Sequence, residues 1–182
     1  RGKKIFYSLD TFFQANLSIL GKIVGHLADN IRWTRETVFL DLYSGVGLFG
    51  IALADLAKEI VMIESGHDSV RLARHNIEYH KLGHARILEG QVEQYLPEVL
   101  KETAGRDRVA LIDPPRTGLC PSVIETLNAA EELASLFYLS CSPVSLARDL
   151  KKLTAGTWTV GKITPFDFFP RTRHLETLVC LG

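Results

Sequence analysis

An α/β fold, a doubly wound and mostly parallel sheet with an antiparallel edge pair at the C-terminus, is predicted by three observations. A strand, glycine loop and helix occupy 38–58. Strand-like and helix-like stretches then alternate through residue 153, the pattern of a parallel sheet covered by helices on both faces. The last third ends in two strand-like stretches, 157–163 and 175–181, with no helical stretch between them. These form the closing antiparallel pair.

In chain order, the first prediction is a leading helix over 15–32, where Leu17, Leu20, Ile23, Val24, Leu27 and Ile31 recur at helical spacing. Val38, Phe39, Leu40 and Leu42 form a short apolar run suited to a buried strand, and 48–58 reads as the helix after the turn. Residues 59–64 are a second strand ending on a carboxylate, and 68–82 are a helix whose charged residues make a solvated outer face and which Gly83 closes. A third strand spans 85–89, a helix 92–102, and a fourth strand 108–113, which Pro114 and Pro115 break. A helix follows Pro121, then a fifth strand at 133–140 and its helix at 143–153.

Composition narrows the class of function. The 182 residues are 46% hydrophobic, enough for one domain with its own core. Basic and acidic residues both number 21, so the domain has no strong overall field towards nucleic acid or membrane, and any RNA contact has to come from a local patch. Cys120, Cys141 and Cys180 are far apart and odd in number, which suggests neither a disulfide framework nor a paired-cysteine metal site, and points to a reducing compartment. No apolar run reaches the ~18 residues of a membrane span. The chain begins at Arg1 without a methionine, so it is expected to be a piece of a longer protein, with 1–32 leading into a catalytic domain at 33–182.

In an open parallel sheet, ligands bind beyond the carboxyl ends of the strands. Gly45, Gly47 and Gly50 satisfy G-x-G-x-x-G, which fits a dinucleotide site as well as a nucleoside one. Glu64, 19 residues after Gly45, suits an acid holding the two hydroxyls of a ribose, or is a solvated strand end. Asp113, fixed by the two prolines that follow, is either a carboxylate held beside a substrate or the cap of a structural turn. Cys120 and Cys180 read as small buried hydrophobes. Cys141 differs because it ends a strand just before Ser142-Pro143, where a helix N-terminus lowers thiol pKa and a nucleophile would be placed. Glu176, opening the final strand, is a candidate partner or an ordinary exposed glutamate.

Together these motifs resemble the RNA uracil-5 methyltransferase family, the S-adenosylmethionine-dependent enzymes that make 5-methyluridine in transfer and ribosomal RNA. The matches are Phe12-Phe13-Gln14-Ala15-Asn16, Asp41-Leu-Tyr-Ser-Gly45-Val-Gly47, Ile63-Glu64, Asp113-Pro114-Pro115-Arg116-x-Gly118, Ser140-Cys141-Ser142-Pro143 with Leu146-Ala147-Arg148-Asp149, and Asp167-x-Phe169-Pro170-x-Thr172-x-His174-x-Glu176. The resemblance implies a class I methyltransferase (Rossmann-like) fold and S-adenosylmethionine as cofactor, contacted by Gln14, Tyr43, Gly45, Gly47, Glu64, Gln91 and Asp113. It makes Cys141 the nucleophile and Glu176 the base, and puts Phe13, Asp113, Pro114, Arg116, Arg171 and His174 against the RNA. It also implies a cytoplasmic enzyme acting on tRNA or 23S rRNA with no membrane or metal. The family usually carries an N-terminal nucleic-acid-binding barrel before Phe-Phe-Gln. Ser142 stands where many members have asparagine, and Leu48 where a polar residue is common. Two rival readings are an NAD-dependent oxidoreductase, which leaves Cys141 and Asp113-Pro-Pro-Arg without a role, and a non-catalytic methyltransferase-like RNA-binding module.

Overall fold

The computed structural model describes residues 2–8, 17–167 and 175–182. Its elements are α1 (Leu17–Asn30), β1 (Val38–Leu42), α2 (Leu48–Ala52), β2 (Glu59–Glu64), α3 (His67–Tyr79), β3 (Ala85–Glu89), α4 (Val92–Glu102), β4 (Arg108–Ile112), α5 (Pro121–Asn128), β5 (Leu133–Ser140), α6 (Pro143–Leu153), β6 (Val160–Phe166) and β7 (Glu176–Leu181). The seven strands form one sheet in the order β3-β2-β1-β4-β5-β7-β6. β1 pairs in parallel with β2 and β4, and β2 with β3 and β4 with β5 are parallel too. β7 runs antiparallel between β5 and β6. The order reverses between β1 and β4, so their carboxyl ends flank the crevice where such sheets bind ligands.

Alternation along β1 explains the two cores. Val38, Leu40 and Leu42 face a cluster formed with Leu96 and Val99 of α4, Val123 and Leu127 of α5, and Leu146 and Leu153 of α6. Phe39 faces the other way, into a cluster with Ile23, Leu27 and Ile31 at α1 and with Phe49 and Ile51 of α2. Every residue of β1 and β4 is buried, as parallel strands covered on both faces require. Among the described residues no helix is long and apolar enough to cross a membrane.

Several predicted boundaries move by a residue or more, and four of the shifts have a local reason. The helix expected over 48–58 ends at Ala52 and continues as a 3-10 turn, Ala54–Leu56. That tighter turn buries both Leu53 and Ala54, and it returns the chain to β1's edge, where Lys58 N–H donates to the Thr37 carbonyl at 2.8 Å. The helix expected to close on Gly83 closes at Lys81 instead, which adopts φ 53°. Leu82 N–H reaches the Ile77 carbonyl at 3.0 Å and Lys81 N–H the Glu78 carbonyl at 3.0 Å, the two bonds of a Schellman cap. The fourth strand stops at Ile112, just short of Asp113. β6 begins at Val160, later than expected, because Trp158 is buried and its Nε1–H donates to the Leu127 carbonyl at 3.1 Å. It runs on through Pro165, a residue tolerated because β6 is the sheet's edge.

Candidate active site

The glycine loop is held from beneath by two carboxylates. Asp41 lies near the carboxyl end of β1 on the α1–α3 side of the sheet and is fully buried; its Oδ2 accepts the N–H of Gly50 at 2.8 Å, while Oδ1 has no hydrogen-bond partner among the described residues. Burial pushes its pKa up to about 7, with the Gly50 bond opposing and nearby Glu64 adding to the rise. Glu64, at the end of β2, accepts Gly45 N–H on Oε2 at 2.9 Å and Gly66 N–H on Oε1 at 2.6 Å. Both oxygens proposed for ribose therefore already brace backbone, each keeping a further lone pair for a ligand. Gly47 takes φ 82°, and a Cβ there would approach Ile51 Cδ1 and Met62 Sδ at 3.0 Å each. A Cβ on Gly45, in contrast, would meet nothing within 4 Å among the described residues beyond its chain neighbours. The loop thus combines a packed underside with an open upper surface.

Tyr43 leaves β1 at φ 63°, an uncommon conformation for a bulky residue and the kind of strain that clusters at ligand sites. Burial keeps its phenol protonated, raising its pKa. Gln91 is exposed at the N-cap of α4, where its N–H meets Gln94 Oε1 at 3.3 Å. Asp113 N–H donates to the Leu42 carbonyl at 3.2 Å, which seats the start of the 113–118 loop on β1. Pro114 is buried and Arg116 exposed.

β5 ends at Ser140, and its last pair with β7 is Ser140 with Thr177. One step further along two antiparallel strands brings Cys141 beside Glu176, 5% exposed. Ser140 and Ser142 fix the turn: Ser142 N–H donates to Ser140 Oγ at 3.1 Å, and Ser142 Oγ caps α6 by accepting Ser145 N–H at 3.4 Å. Cys141 lies just before that cap, and the helix does not lower its pKa as expected. Burial raises it first and Glu176 raises it further, while nearby Arg116 pulls it down; Asp113 adds a small rise. Burial likewise raises the pKa of Glu176, opposed by Arg116, and Glu176 Oε2 is buried with no hydrogen-bond partner among the described residues. A thiol, a cation and a carboxylate with raised proton affinity thus meet at the carboxyl ends of β4 and β5. That arrangement can add a sulfur nucleophile to an electrophilic carbon and remove a proton nearby.

Of the sequence candidates, the described structure brings together Cys141, Glu176, Asp113, Pro114 and Arg116, and separately Tyr43, Gly45, Gly47 and Glu64, with Gln91 on the rim beyond β3. Phe13, Gln14, Arg171 and His174 lie outside the described residues. Three of the buried polar residues to which the sequence assigned no role brace these loops. Asn76 donates to the Val46 carbonyl of the glycine loop at 3.0 Å and pairs with both backbone groups of Phe6 at 2.8 and 3.0 Å. Asp41 and Asp149 are the others. Each lies among apolar residues at the period of its element, as Asp149 does between Leu146 and Leu153, and that is the signal that could have found them. A surface groove of about 520 Å³ near Pro97, Leu100 and Arg108 sits by the start of β4, at the opposite end of the strands, away from this chemistry.

The family model for tRNA (uracil-5-)-methyltransferase matches residues 1–182. An uncharacterised RNA methyltransferase of Thermotoga maritima is 34% identical over 178 residues, covering 93% of this chain and 38% of that protein. One from Protochlamydia amoebophila is 41% identical over 147 residues, covering 81% and 33% respectively. Among solved structures, a Pyrococcus abyssi tRNA (uracil-54, C5)-methyltransferase in complex with S-adenosyl-L-homocysteine superposes with TM-score 0.81 at 29% identity, over 95% of this chain and 40% of that one. The METTL16 methyltransferase domain, 16% identical, shares the fold alone, with TM-score 0.74 over 100% of this chain and 74% of that one. The architecture is that of a class I methyltransferase. The chain spans 38% and 33% of the lengths of the two curated relatives. With the whole of its length matched and the glycine loop, Asp-Pro-Pro-Arg loop and cysteine placed along one sheet edge, the chain belongs to the tRNA (uracil-5-)-methyltransferase family.

Proposed function

We propose that this chain is the catalytic part of an enzyme that transfers a methyl group from S-adenosylmethionine to C5 of a uridine in structured RNA, tRNA or 23S rRNA, with residues 33–182 as the catalytic domain of a longer protein. The observation that carries the reading is the meeting of Cys141, Arg116 and Glu176 beyond the Ser140–Thr177 pair, in a chain of this family.

The glycine loop fits such a cofactor because its upper side is open at Gly45, while Gly47 and Glu64 brace it from below. Tyr43, Glu64, Gln91 and Asp113 would hold the cofactor, joined by Gln14 from the resemblance. When bound, it supplies an activated methyl group. Carbon 5 of uracil is a poor nucleophile until the Cys141 thiolate adds to C6, a covalent step that makes C5 carbanion-like. Arg116 favours that thiolate by its charge. C5 would take the methyl carbon as its bond to the cofactor's sulfur breaks and S-adenosylhomocysteine leaves, and the part of the loops is to orient the two reactants. Glu176 takes the C5 proton, so that the C6–S bond breaks and Cys141 leaves as thiolate. Raised proton affinity suits Glu176 to that removal. The target uridine has to leave its stack to reach Cys141. By the resemblance, Phe13, Pro114, Arg171 and His174 would line its path.

Calorimetric titration with S-adenosylhomocysteine and, in parallel, with NAD tests the cofactor class. Binding of the first alone is expected; binding of NAD alone would overturn the reading. Trapping of the full-length protein on 5-fluorouridine RNA tests the covalent step, because fluorine at C5 cannot be removed as a proton.

A further inference from the structure

The Cys141 helix and the Arg116 loop are joined by a buried carboxylate that the chemistry above does not use. Asp149, on α6, is fully buried. Its Oδ2 accepts the N–H of Leu119 at 2.8 Å and the phenol of Tyr138 at 2.8 Å. Its Oδ1 accepts Nε and Nη2 of Arg148 at 2.9 and 2.7 Å. The same Nη2 donates to the Thr117 carbonyl at 2.7 Å. Gly118 lies between these two anchors at φ 78°, and a Cβ there would collide with Asp149 Oδ2 and crowd Arg148 Nη2. Gly118 N–H also closes a turn onto the Pro115 carbonyl at 2.8 Å.

The 113–118 loop is therefore pinned at both ends, by Asp113 on β1 and by Thr117 and Leu119 on the Arg148–Asp149 pair. Arg116, whose charge acts on the Cys141 thiol, sits between the pins. Packing alone does not call for a carboxylate here, because a buried ion pair is by itself weak evidence of a stabilising role, yet Asp149 gathers the Leu119 N–H, the Tyr138 phenol and the Arg148 guanidinium. A carboxylate with four donors on it, one of them the backbone of the substrate loop, does something packing cannot.

We infer that Asp149, acting with Arg148, is a positioning residue for addition of Cys141 to the uracil ring. The pair clamps the 113–118 loop to the helix that follows the nucleophile, and so fixes Arg116 against the thiol. This inference rests on the proposed uracil-5 methylation.

The test uses full-length protein carrying Arg148→Gln or Asp149→Asn, with tRNA and 23S rRNA transcripts made with 5-fluorouridine as the probe. Three quantities are read: S-adenosylhomocysteine affinity, the single-turnover rate constant of covalent capture, and its dependence on pH. Both variants are expected to keep cofactor affinity within about twofold, since the clamp does not touch the glycine loop. Capture should slow by roughly tenfold to a hundredfold, the cost of misplacing reacting groups by about 1 Å. Its pH profile should move to higher pH as Arg116 loses its hold on the thiol. A merely structural role would lower the melting temperature and the captured fraction and leave the rate constant of the folded fraction alone. Arg148 is half exposed, so its replacement gives a folded test even where Asp149→Asn is destabilised. Wild-type protein that captures RNA, with variants whose rate constant stays within about twofold of it, would overturn the clamp alone. Wild-type protein that captures neither RNA would overturn the proposed function and the clamp with it.

Discussion

Arg116 stands close enough to Cys141 for its charge to favour the thiolate, opposing the burial and the Glu176 charge that both favour the protonated sulfur. The balance of those effects leaves the thiol pKa above its usual value of 9.0, so the nucleophile is mostly protonated near neutral pH. Capture of RNA is accordingly expected to quicken as pH rises towards that value. Arg116→Met removes the cation, raises the thiol pKa further and lowers the thiolate fraction at any fixed lower pH. Because Arg116 is exposed and its charge is screened, the loss should be at the low end of charge effects, roughly threefold to tenfold. Capture rates measured across pH would show the shift; an unchanged profile would remove Arg116 from this role.

Cys141→Ala is expected to abolish covalent capture and methyl transfer together, because it removes the thiol that stands beside Arg116 and Glu176. Glu176→Gln should still transfer the methyl group but stall before release, so that a protein–RNA adduct builds up with unmodified RNA. Denaturing gels of labelled RNA separate the two outcomes. Methylation by the alanine variant would refute the nucleophile assignment.

Asp41 makes stability depend on pH. Its carboxyl titrates near 3.8 in the unfolded chain and about 7 in the fold, so between those values the folded state binds the extra proton. Stability contributed at low pH is therefore lost as pH rises through about 7, a change of roughly 4 kcal/mol for this group. Asp41→Asn keeps an acceptor for Gly50 N–H and carries no charge. Its melting temperature should fall less steeply than wild type from pH 4 to 7 and exceed it at pH 8; equal slopes would count against a buried, raised carboxyl.

Gly47→Ala forces a Cβ into the left-handed region at φ 82° and against Ile51 and Met62. The backbone term is about 1–2 kcal/mol and overpacking about 1–3 kcal/mol, so a loss of roughly 2–5 kcal/mol is expected in denaturant unfolding. Gly45→Ala meets no neighbour and should lose only the backbone part, while weakening cofactor binding if the open side of the loop is where the ligand lies.

Asn76 holds the 2–8 segment to the glycine loop through Phe6 and Val46. Asn76→Ala leaves the Val46 carbonyl without this donor, and a loss of about 1–3 kcal/mol is expected. Hydrogen exchange at the Phe6 amide should accelerate in the same variant, and wild-type protection there would show that the pairing is not made in solution.

What the sequence by itself determined about this protein is local. The strand, glycine loop and helix at 38–52, the alternating elements, and the start of α6 after Ser142-Pro143 could be read because side-chain period and turn chemistry act within a few residues. The resemblance added roles for Cys141 and Glu176 but not their geometry. That came only with tertiary structure, because 35 residues separate them and only the insertion of β7 between β5 and β6 makes them neighbours. The same holds for the raised proton affinities of Asp41 and Cys141 and for the Asp149 clamp. Burial and charge proximity depend on what packs around a residue from distant parts of the chain, and strand order and register decide that, not the residues beside it in sequence.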